Sequence, residues 1–333
     1  MNKRNFRARS MRNGWIVVLT GILLCLFTMK VQAGVRVNFN PGYWASSGNL
    51  NWKISGDTWF EVNGDYYYSE FASKLDYDTN SNMAILGLEL KPIDWFSFDF
   101  SYGTGDIQSG TCTDTDWFYD YTDWFYDYSS DPALQTQDPS SGDTYFYNTN
   151  LNFTKSFEET GLTSLVKYFK GIKLGLFLGY EYSKVSMKMV DPITILIWWW
   201  EDYHVTESEG LNSTYDITFQ GIRVGTKMEL FLTNELAIKG SIAYSPSLRV
   251  KGKGYWNLRD LYFYQSGQGH GTDAEVSLHY SPLSNLSFSL GYRAQNYRQS
   301  GGTDRIAGET AISNWDKAIF IREGMFFNAI IKF

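Results

Sequence analysis

Regular alternation of apolar and polar residues is the feature of this sequence that most restricts its fold. Between residues 286 and 293, every second residue is apolar, and the residues between them are small, polar or charged. The ranges 96–102, 172–181 and 236–244 show nearly the same alternation. Side chains of a β-strand point alternately to opposite faces, so each range predicts a strand with one apolar and one polar face. Membrane barrels and soluble sandwiches both use such strands, so alternation alone leaves both folds open.

The lengths of the connections separate these two folds. The pattern predicts ten strands, at 35–45, 71–91, 94–105, 143–156, 171–187, 213–230, 234–254, 269–282, 285–297 and 317–333. Tight connections near 91–94, 232–234 and 282–285 alternate with long stretches at 46–70, 106–142, 188–212, 255–268 and 298–316. Short periplasmic turns and long external loops are typical of membrane barrels. We therefore predict an all-β fold, a transmembrane antiparallel β-barrel of about ten strands.

The first 33 residues differ from the rest of the chain. A basic start precedes the apolar run Trp15–Met29, and Val31-Gln32-Ala33 provides small residues where signal peptidase cleaves. The apolar run is shorter than the roughly 20 residues of a membrane-spanning helix, although an uncleaved anchor helix is the alternative. The sequence thus predicts a signal peptide over 1–33, cleaved near Ala33, and a barrel over 34–333.

Charge and composition exclude several classes of protein. Six of the 29 Lys and Arg residues, and none of the 36 acids, lie in 1–33, so residues 34–333 carry a net charge of −13. This acidic balance argues against nucleic acid as a partner. No other stretch reaches about 18 apolar residues, so helical membrane spans are not expected. Cys112 is the one cysteine beyond the signal, so we expect no intrachain disulfide, and no cofactor is predicted.

The C-terminal residue, Phe333, ends an amphipathic strand. A terminal aromatic in this position is similar to the recognition signal of the outer-membrane barrel-assembly machinery. Together with the export signal, it predicts a location in the outer membrane of a Gram-negative-type bacterium. The expected partners are therefore outer-membrane lipid, lipopolysaccharide and that assembly machinery.

The predicted external loop 106–142 is rich in aspartate and aromatic residues. It contains a tandem repeat, Asp116–Thr122 followed by Asp123–Ser129, and residues 92–154 include eleven Asp but no Lys, Arg or Glu. A divalent-cation site, capture of basic peptides and a merely solvated loop are the three interpretations. No calcium-loop spacing is present, so no metal ligands are assigned.

Parity along the strands assigns charged residues to the barrel interior, because a charge facing lipid is costly. The residues assigned to the lumen are Asp99, Lys173, Glu181, Lys239, Arg293 and Glu323. They would either line a pore for small solutes or close the interior with salt bridges. Barrels of about eight strands are filled by side chains, so ten strands favour a narrow channel at best.

Part of the chain resembles the omptins, ten-stranded outer-membrane proteases. The resemblance rests on Ser73-Lys-Leu-Asp-Tyr77, the turn at 91–94 and Asp114-x-Asp116-Trp117. It implies that Asp114 and Asp116 are candidates for half of a catalytic site that activates water. The omptin Asp-His pair would fall near Gly254 and Trp256, which cannot accept a proton.

The three histidines of the chain lie elsewhere in the sequence, at His204, His270 and His279. None is an obvious replacement for the missing histidine, because a general base must reach its water within about 3 Å. An active site of the omptin type is therefore incomplete in this sequence.

A second resemblance covers most of the chain after residue 33 and rests on four segments: Gly210–Tyr215, Tyr255–Asp260, Val35–Trp44 and Asn314-Trp315. These segments are similar to the Protochlamydia outer membrane protein (Pom) family, which is omptin-like in shape and associated with porins. It implies that a Trp-Asn-Leu-Arg segment occupies the place of the omptin Asp-His pair.

Three functions remain open after this reading. The favoured hypothesis is a porin-like or structural, surface-exposed barrel without enzymatic activity. The alternatives are an omptin-type endopeptidase with a degenerate site and a surface-binding, adhesin-like protein that uses the 106–142 loop. The apolar run Ile193–Trp200 would either contact lipopolysaccharide, cover the barrel mouth, or extend its strand.

Overall fold

The computed structural model describes residues 34–62, 65–120, 134–158, 170–191, 193–199, 202–308 and 312–333. The predicted signal peptide and the second repeat copy, Asp123–Ser129, lie outside these ranges. Within them, no helix is both long and apolar enough to span a membrane.

The described residues form β-strands almost throughout. The strands are β1 Arg36–Val62, β2 Asp65–Asp78, β3 Ser81–Ile93, β4 Phe96–Asp120, β5 Leu134–Glu158, β6 Gly171–Val190, β7 Ile193–Trp199, β8 Asp202–Ser208, β9 Asn212–Phe231, β10 Leu236–Trp256, β11 Leu261–Leu283, β12 Leu286–Ile306 and β13 Ile312–Lys332. One turn of 3₁₀ helix, Asn257–Arg259, follows β10.

The strands close into an antiparallel ring. In order of hydrogen bonding, the strands are β1, β13, β12, β11, β10, β9, β6, β5 and β4. The next position is shared by β2 and β3, which lie end to end and both pair with β1, so the ring closes. The first and last strands, β1 and β13, meet at the closure, where the Phe333 amide donates to the Val37 carbonyl at 2.9 Å. The ring has about ten strand positions, as the sequence predicted. The β7–β8 hairpin extends the sheet beyond β5.

The predicted long loops were largely wrong, because most of these residues continue the strands. β1 runs through the predicted loop 46–70 as far as Val62, and β4 runs to Asp120. In this upper region the inward residues are aromatic or aliphatic, such as Trp52, while the outward residues are polar, such as Asn51. These strand extensions lack an apolar outer face, so the alternation of apolar and polar residues does not predict them.

Three tight connections lie at one end of the ring. Asp94-Trp95 joins β3 to β4, residues 232–235 join β9 to β10, and Ser284-Asn285 joins β11 to β12. Residues this few allow only a turn between antiparallel neighbours. We call this end the turn end and the opposite one the rim.

The outer wall carries a belt of exposed apolar side chains. Its members on seven strands are Leu151, Phe153, Leu174, Leu176, Leu178, Ile222, Val224, Ile242, Val276, Leu278, Leu290 and Phe327. On β12, the outward Leu290 and Tyr292 alternate with the buried Ser289 and Arg293. A continuous belt of this kind is expected where the wall of a barrel contacts lipid.

Close packing inside the barrel requires glycine opposite large rings. A Cβ atom on Gly103 would lie 2.3 Å from the Phe146 ring, and one on Gly225 would lie 2.3 Å from the Phe177 ring. Both rings point inward and are buried. The glycines therefore leave the space on the inner wall that these aromatic rings occupy.

A charge on the belt tests whether this wall faces lipid. The test substitution is Leu176→Lys on β6, where Leu176 is 64% exposed. In vesicles the variant should lose about 2–4 kcal/mol of unfolding free energy, because lysine near the bilayer midplane is poorly solvated. Ser186→Lys, on the same outer face nearer the rim, is the control and should cost less than about 1 kcal/mol. Urea unfolding measures both, and equal small losses would place the wall in water.

Candidate functional site

A network of charged side chains crosses the middle of the barrel. The Arg293 guanidinium donates twice to the buried Asp273 carboxylate, and Gln295 donates to the same carboxylate at 2.9 Å. Arg223 lies 3.6 Å from Asp273 and 3.8 Å from Glu181. The pairs lie between β6, β9, β11 and β12, which are adjacent or next to adjacent in the ring, so each buried charge is compensated by a neighbour.

Arg322 extends this layer without a carboxylate of its own. Its side chain is fully buried, and it forms no salt bridge with a carboxylate of the described residues. The guanidinium lies 4.7 Å from the centre of the Trp44 ring and donates to Gln295 Oε1 at 2.6 Å and to Thr144 Oγ1 at 3.0 Å. Aromatic faces and neutral acceptors therefore stabilise this buried cation.

Above the charged layer, aromatic rings fill the interior. Tyr77 stacks against Tyr215 with ring centres 6.2 Å apart, and Trp52 lies 5.5 Å from the same tyrosine ring. Phe263 packs on Tyr215 at 5.9 Å. These four rings come from β1, β2, β9 and β11, so they meet from different sides of the ring. We call them the aromatic plug.

The Ile193–Trp200 run contributes to closing the same region. Its first residues form β7, which pairs with Leu134–Gln137 of β5. Ile193 is buried, and Ile195 packs against the buried cluster that contains the plug. Because β6 pairs with β5 as far as Ser140 and β7 pairs with it from Gln137 onward, the start of this apolar run extends its strand position, one of the roles that the sequence left open.

Towards the turn end the interior is polar. Asp99 accepts hydrogen bonds from Asn150 and Asn152, at 2.6 and 3.0 Å, and pairs with Lys227. Lys239 and Glu229 form an ion pair at 3.0 Å.

The structure places five of the six predicted lumen charges on the inner face. Asp99, Glu181, Lys239 and Arg293 have inward partners, and Lys173 shares the inward parity of Phe177. The prediction for Glu323 was wrong: it is exposed and shares its face with Met325, because residues 323, 325 and 327 have the same parity.

The inward position beside Glu323 belongs to Arg322, which the sequence reading missed. Asp273 and Arg223 were missed as well. Their signal is present, since both have the inward parity of their strands, but each lies where the apolar alternation is interrupted by glycine and threonine.

At the rim, Asp114 and Asp116 lie side by side on the inner face of β4. Both are partly exposed, and the Ser73 hydroxyl of β2 donates to Asp114 at 3.2 Å. Burial and the charge of Asp116 raise the pKa of Asp114 well above its usual value, and burial also raises the pKa of Asp116. The positive charge of Arg259 opposes both shifts. The pair therefore favours a proton or a cation.

Asp138 completes this acidic corner and was missed by the sequence reading. It is opposite Cys112 in the β4–β5 ladder and only 4% exposed. Its Oδ1 atom has no hydrogen-bond partner among the described residues. Burial raises its pKa to about 7. We call Asp114, Asp116 and Asp138 the rim carboxylates.

Arg259 faces the carboxylates from a turn that two sequence motifs build together. Asn257 accepts a hydrogen bond from the Asn212 amide at 2.6 Å and donates to the Gly210 carbonyl at 2.7 Å. The Asn257 amide also donates to Ser213 Oγ at 3.1 Å. The motifs Gly210–Tyr215 and Tyr255–Asp260, far apart in sequence, therefore form one structural unit.

The side chain that would activate water is not found beside the rim carboxylates in the described part of the chain. Gly254 is packed against Phe263, and Trp256 lies 5.1 Å from the same ring. His270 points outward beside Tyr244, and His279 lies near the turn end, bonded to Ser289 at 3.0 Å. The side chain of His204 lies outside the described atoms. In the same residues no group of three His, Cys, Asp or Glu is arranged as a metal site.

Comparison with solved structures identifies the fold. The chain is similar to the outer membrane protease OmpT from Escherichia coli, with 12% identity, a TM-score of 0.69, and coverage of 92% of this chain and 99% of that chain. At this identity the likeness shows the fold, an outer-membrane type of β-barrel, and not the activity.

Two further matches are weaker. The transport unit of the autotransporter AIDA-I from Escherichia coli has 14% identity and a TM-score of 0.26, covering 92% and 93% of the two chains. A Pseudomonas aeruginosa FadL homologue has 8% identity and a TM-score of 0.28, covering 90% of each chain. Neither supports an argument about this chain. No protein-family model and no curated protein matches the sequence, so the Pom resemblance stays a prediction.

The buried Asp138 makes stability depend on pH. An unfolded aspartate releases its proton near pH 4, whereas folded Asp138 retains it to about pH 7, so the folded state binds more protons in this window. Its contribution to unfolding free energy therefore falls as pH rises from about 4 to about 7. Asp138→Asn should remove this slope and gain on the order of 2 kcal/mol above pH 7.

Urea unfolding across this pH range measures the effect. Asp57→Asn, which removes an exposed carboxylate on the outer face of β1, supplies the control. An Asp138→Asn variant with the same pH slope as the parent protein would contradict the assignment.

Proposed function

We propose that this chain is an outer-membrane barrel, closed to diffusion, that acts at the cell surface through its rim. The observation that carries the proposal is the filled interior: a layer of paired charges, the buried Arg322 and the aromatic plug follow one another along the barrel axis. A ring of about ten strands has little interior space beyond these side chains. The likeness in fold to an outer-membrane barrel supports the proposed location.

The rim supplies the surface on which such a protein would act. The rim carboxylates are partly desolvated, and Asp138 has an unpartnered oxygen. A ligand that carries a guanidinium or ammonium group, such as a basic peptide, matches this chemistry. Lipopolysaccharide and the barrel-assembly machinery remain the other proposed partners, and a small solute would require an opening that the plug occupies.

Conductance in planar bilayers tests the closed interior. The parent protein should give no single-channel steps, because the aromatic plug leaves no continuous aqueous path. Replacing Trp52, Tyr77 and Tyr215 together by Ala removes three plug rings and should produce steps. Steps from the parent protein would refute the proposal and favour a porin.

A matched variant controls for damage to the barrel. Tyr244, Tyr280 and Tyr292 are exposed on the outer wall, so their joint replacement by Ala removes three rings without touching the interior. This variant should stay silent in bilayers. Folding of all three proteins is compared by resistance to protease.

A second candidate function is an endopeptidase of the omptin type. It is favoured by one observation, the Asp114–Asp116 pair held beside Ser73 in a barrel with the fold of OmpT. Against it, water activation needs a proton acceptor opposite the pair, and the described residues place Arg259 on that side.

Cleavage of a peptide with two adjacent basic residues decides this candidate. The non-enzymatic proposal predicts no cleavage above the rate without protein. The protease alternative predicts cleavage that Asp116→Asn lowers by about a hundredfold or more, while the outward Asp106→Asn leaves it unchanged.

A further inference from the structure

Two groups of like charge lie on the outer face near the rim, on different sides of the ring. One side carries cations on β10 and β12, and we call this set the basic flank: Arg249, Lys251, Lys253, Arg298 and Arg305. All five side chains are exposed. Within the described residues none of them forms an ion pair with a carboxylate. Their contacts are weaker: Arg298 donates to Asn296 at 3.2 Å, and Lys253 lies over the Tyr264 ring.

The opposite side carries carboxylates, and we call Asp78, Asp106 and Asp143 the acidic flank. All three are exposed. Asp106 and Asp143 are direct partners in the β4–β5 ladder, an unfavourable arrangement for like charges. Lys184 on the next strand is engaged by Asp216 at 2.9 Å. Lys188, a further exposed cation of β6, is opposite Ser141. The Asp106–Asp143 pair therefore has no cation directly opposite it in the neighbouring ladders.

The two flanks lie across the barrel from each other and at similar heights. In the ring order, β4 is five positions from β11, which lies between the two strands of the basic flank. On β5, Asp143 lies two residues nearer the rim than the outward Tyr145. On β10, Arg249 lies nearer the rim than the outward Tyr244, and a bulge separates the two. Each flank thus begins just above the aromatic edge of the apolar belt.

We infer that a second copy of this chain docks against the first, acidic flank to basic flank. A membrane holds neighbouring barrels upright, so charges at equal height meet when one barrel is moved sideways without rotation. Because the flanks are on opposite sides, each copy offers both halves of the contact. A head-to-tail contact between opposite sides does not close into a ring, so the barrels form rows in the membrane plane.

A second copy explains both flanks, whereas a phosphate-bearing lipid explains one. Lipid phosphates would neutralise the basic flank but would leave the Asp106–Asp143 repulsion in place. A neighbouring barrel supplies cations to the acidic flank and carboxylates to the basic flank in one contact. This inference does not depend on the closed interior or on the rim carboxylates.

Charge reversal of the flanks in the full-length barrel tests the inference. One variant reverses the basic flank by Arg249→Glu, Lys251→Glu and Arg298→Glu; the other reverses the acidic flank by Asp78→Lys, Asp106→Lys and Asp143→Lys. Amine-to-carboxylate crosslinking in phosphatidylcholine vesicles should give a ladder of oligomers for the parent protein. Each variant alone should lose about tenfold in ladder yield, the effect of removing about three exposed ion pairs.

Mixing the two variants provides the decisive measurement. One variant then has two acidic sides and the other two basic sides, so the mixture should restore the ladder to within about twofold of the parent. Restoration also shows that both variants are folded. Failure of the mixture to restore the ladder, or an unchanged ladder in either variant alone, overturns the inference.

Two controls address lipid and general charge effects. Lys53→Glu with Lys317→Glu reverses an outward pair on β1 and β13, outside both flanks, and should leave the ladder unchanged. Raising the salt concentration to 1 M should weaken the ladder, because charges are then screened within about 3 Å. A parent protein that stays monomeric in phosphatidylcholine, and whose basic flank only retains added lipopolysaccharide, would identify lipid as the occupant and overturn the inference.

Discussion

The closure of the backbone ring is the constraint on which the rest of this structure depends. A strand edge in lipid leaves amide and carbonyl groups without partners, each at a cost of several kcal/mol. The pairing of β1 with β13, down to the bond between Phe333 and Val37, removes that edge. Once the ring is closed at about ten strand positions, its diameter is set. Every inward residue then has to share a narrow interior with residues from the opposite wall.

That narrow interior explains why its charges are paired and its rings are stacked. A buried carboxylate such as Asp273 is tolerated because Arg293 and Gln295 bond it directly. Arg322 has no such carboxylate among the described residues. The centres of the Trp44 and Phe146 rings lie 4.7 and 5.3 Å from its guanidinium carbon and stabilise the charge instead. Removing one member of this layer would leave a buried charge without compensation. The layer therefore holds strands of the wall together.

Much of the fold could be predicted from the sequence, because the alternation of apolar and polar residues along a strand indicates which face each side chain lies on. The strand positions, the tight turns and five of the inward charges followed from it. Two features did not. The strands continue past the belt as far as Val62 and Asp120, where a polar outer face replaces the apolar one. The corner formed by Asp138 depends on which residues face each other across β4 and β5, and register is not visible in a single strand.

The rim illustrates why two proteins with the same fold need not share a chemical activity. The omptin resemblance makes Asp114 and Asp116 candidates for water activation, but a carboxylate pair needs a proton acceptor opposite it to do so. On the opposite side, the Asn257 contacts with Gly210 and Ser213 fix a turn that ends in Arg259. A guanidinium cannot accept a proton at any physiological pH. It can neutralise carboxylates, as its effect on the pKa of both aspartates indicates. In this barrel the two aspartates favour a positive charge, in keeping with the role proposed for the rim.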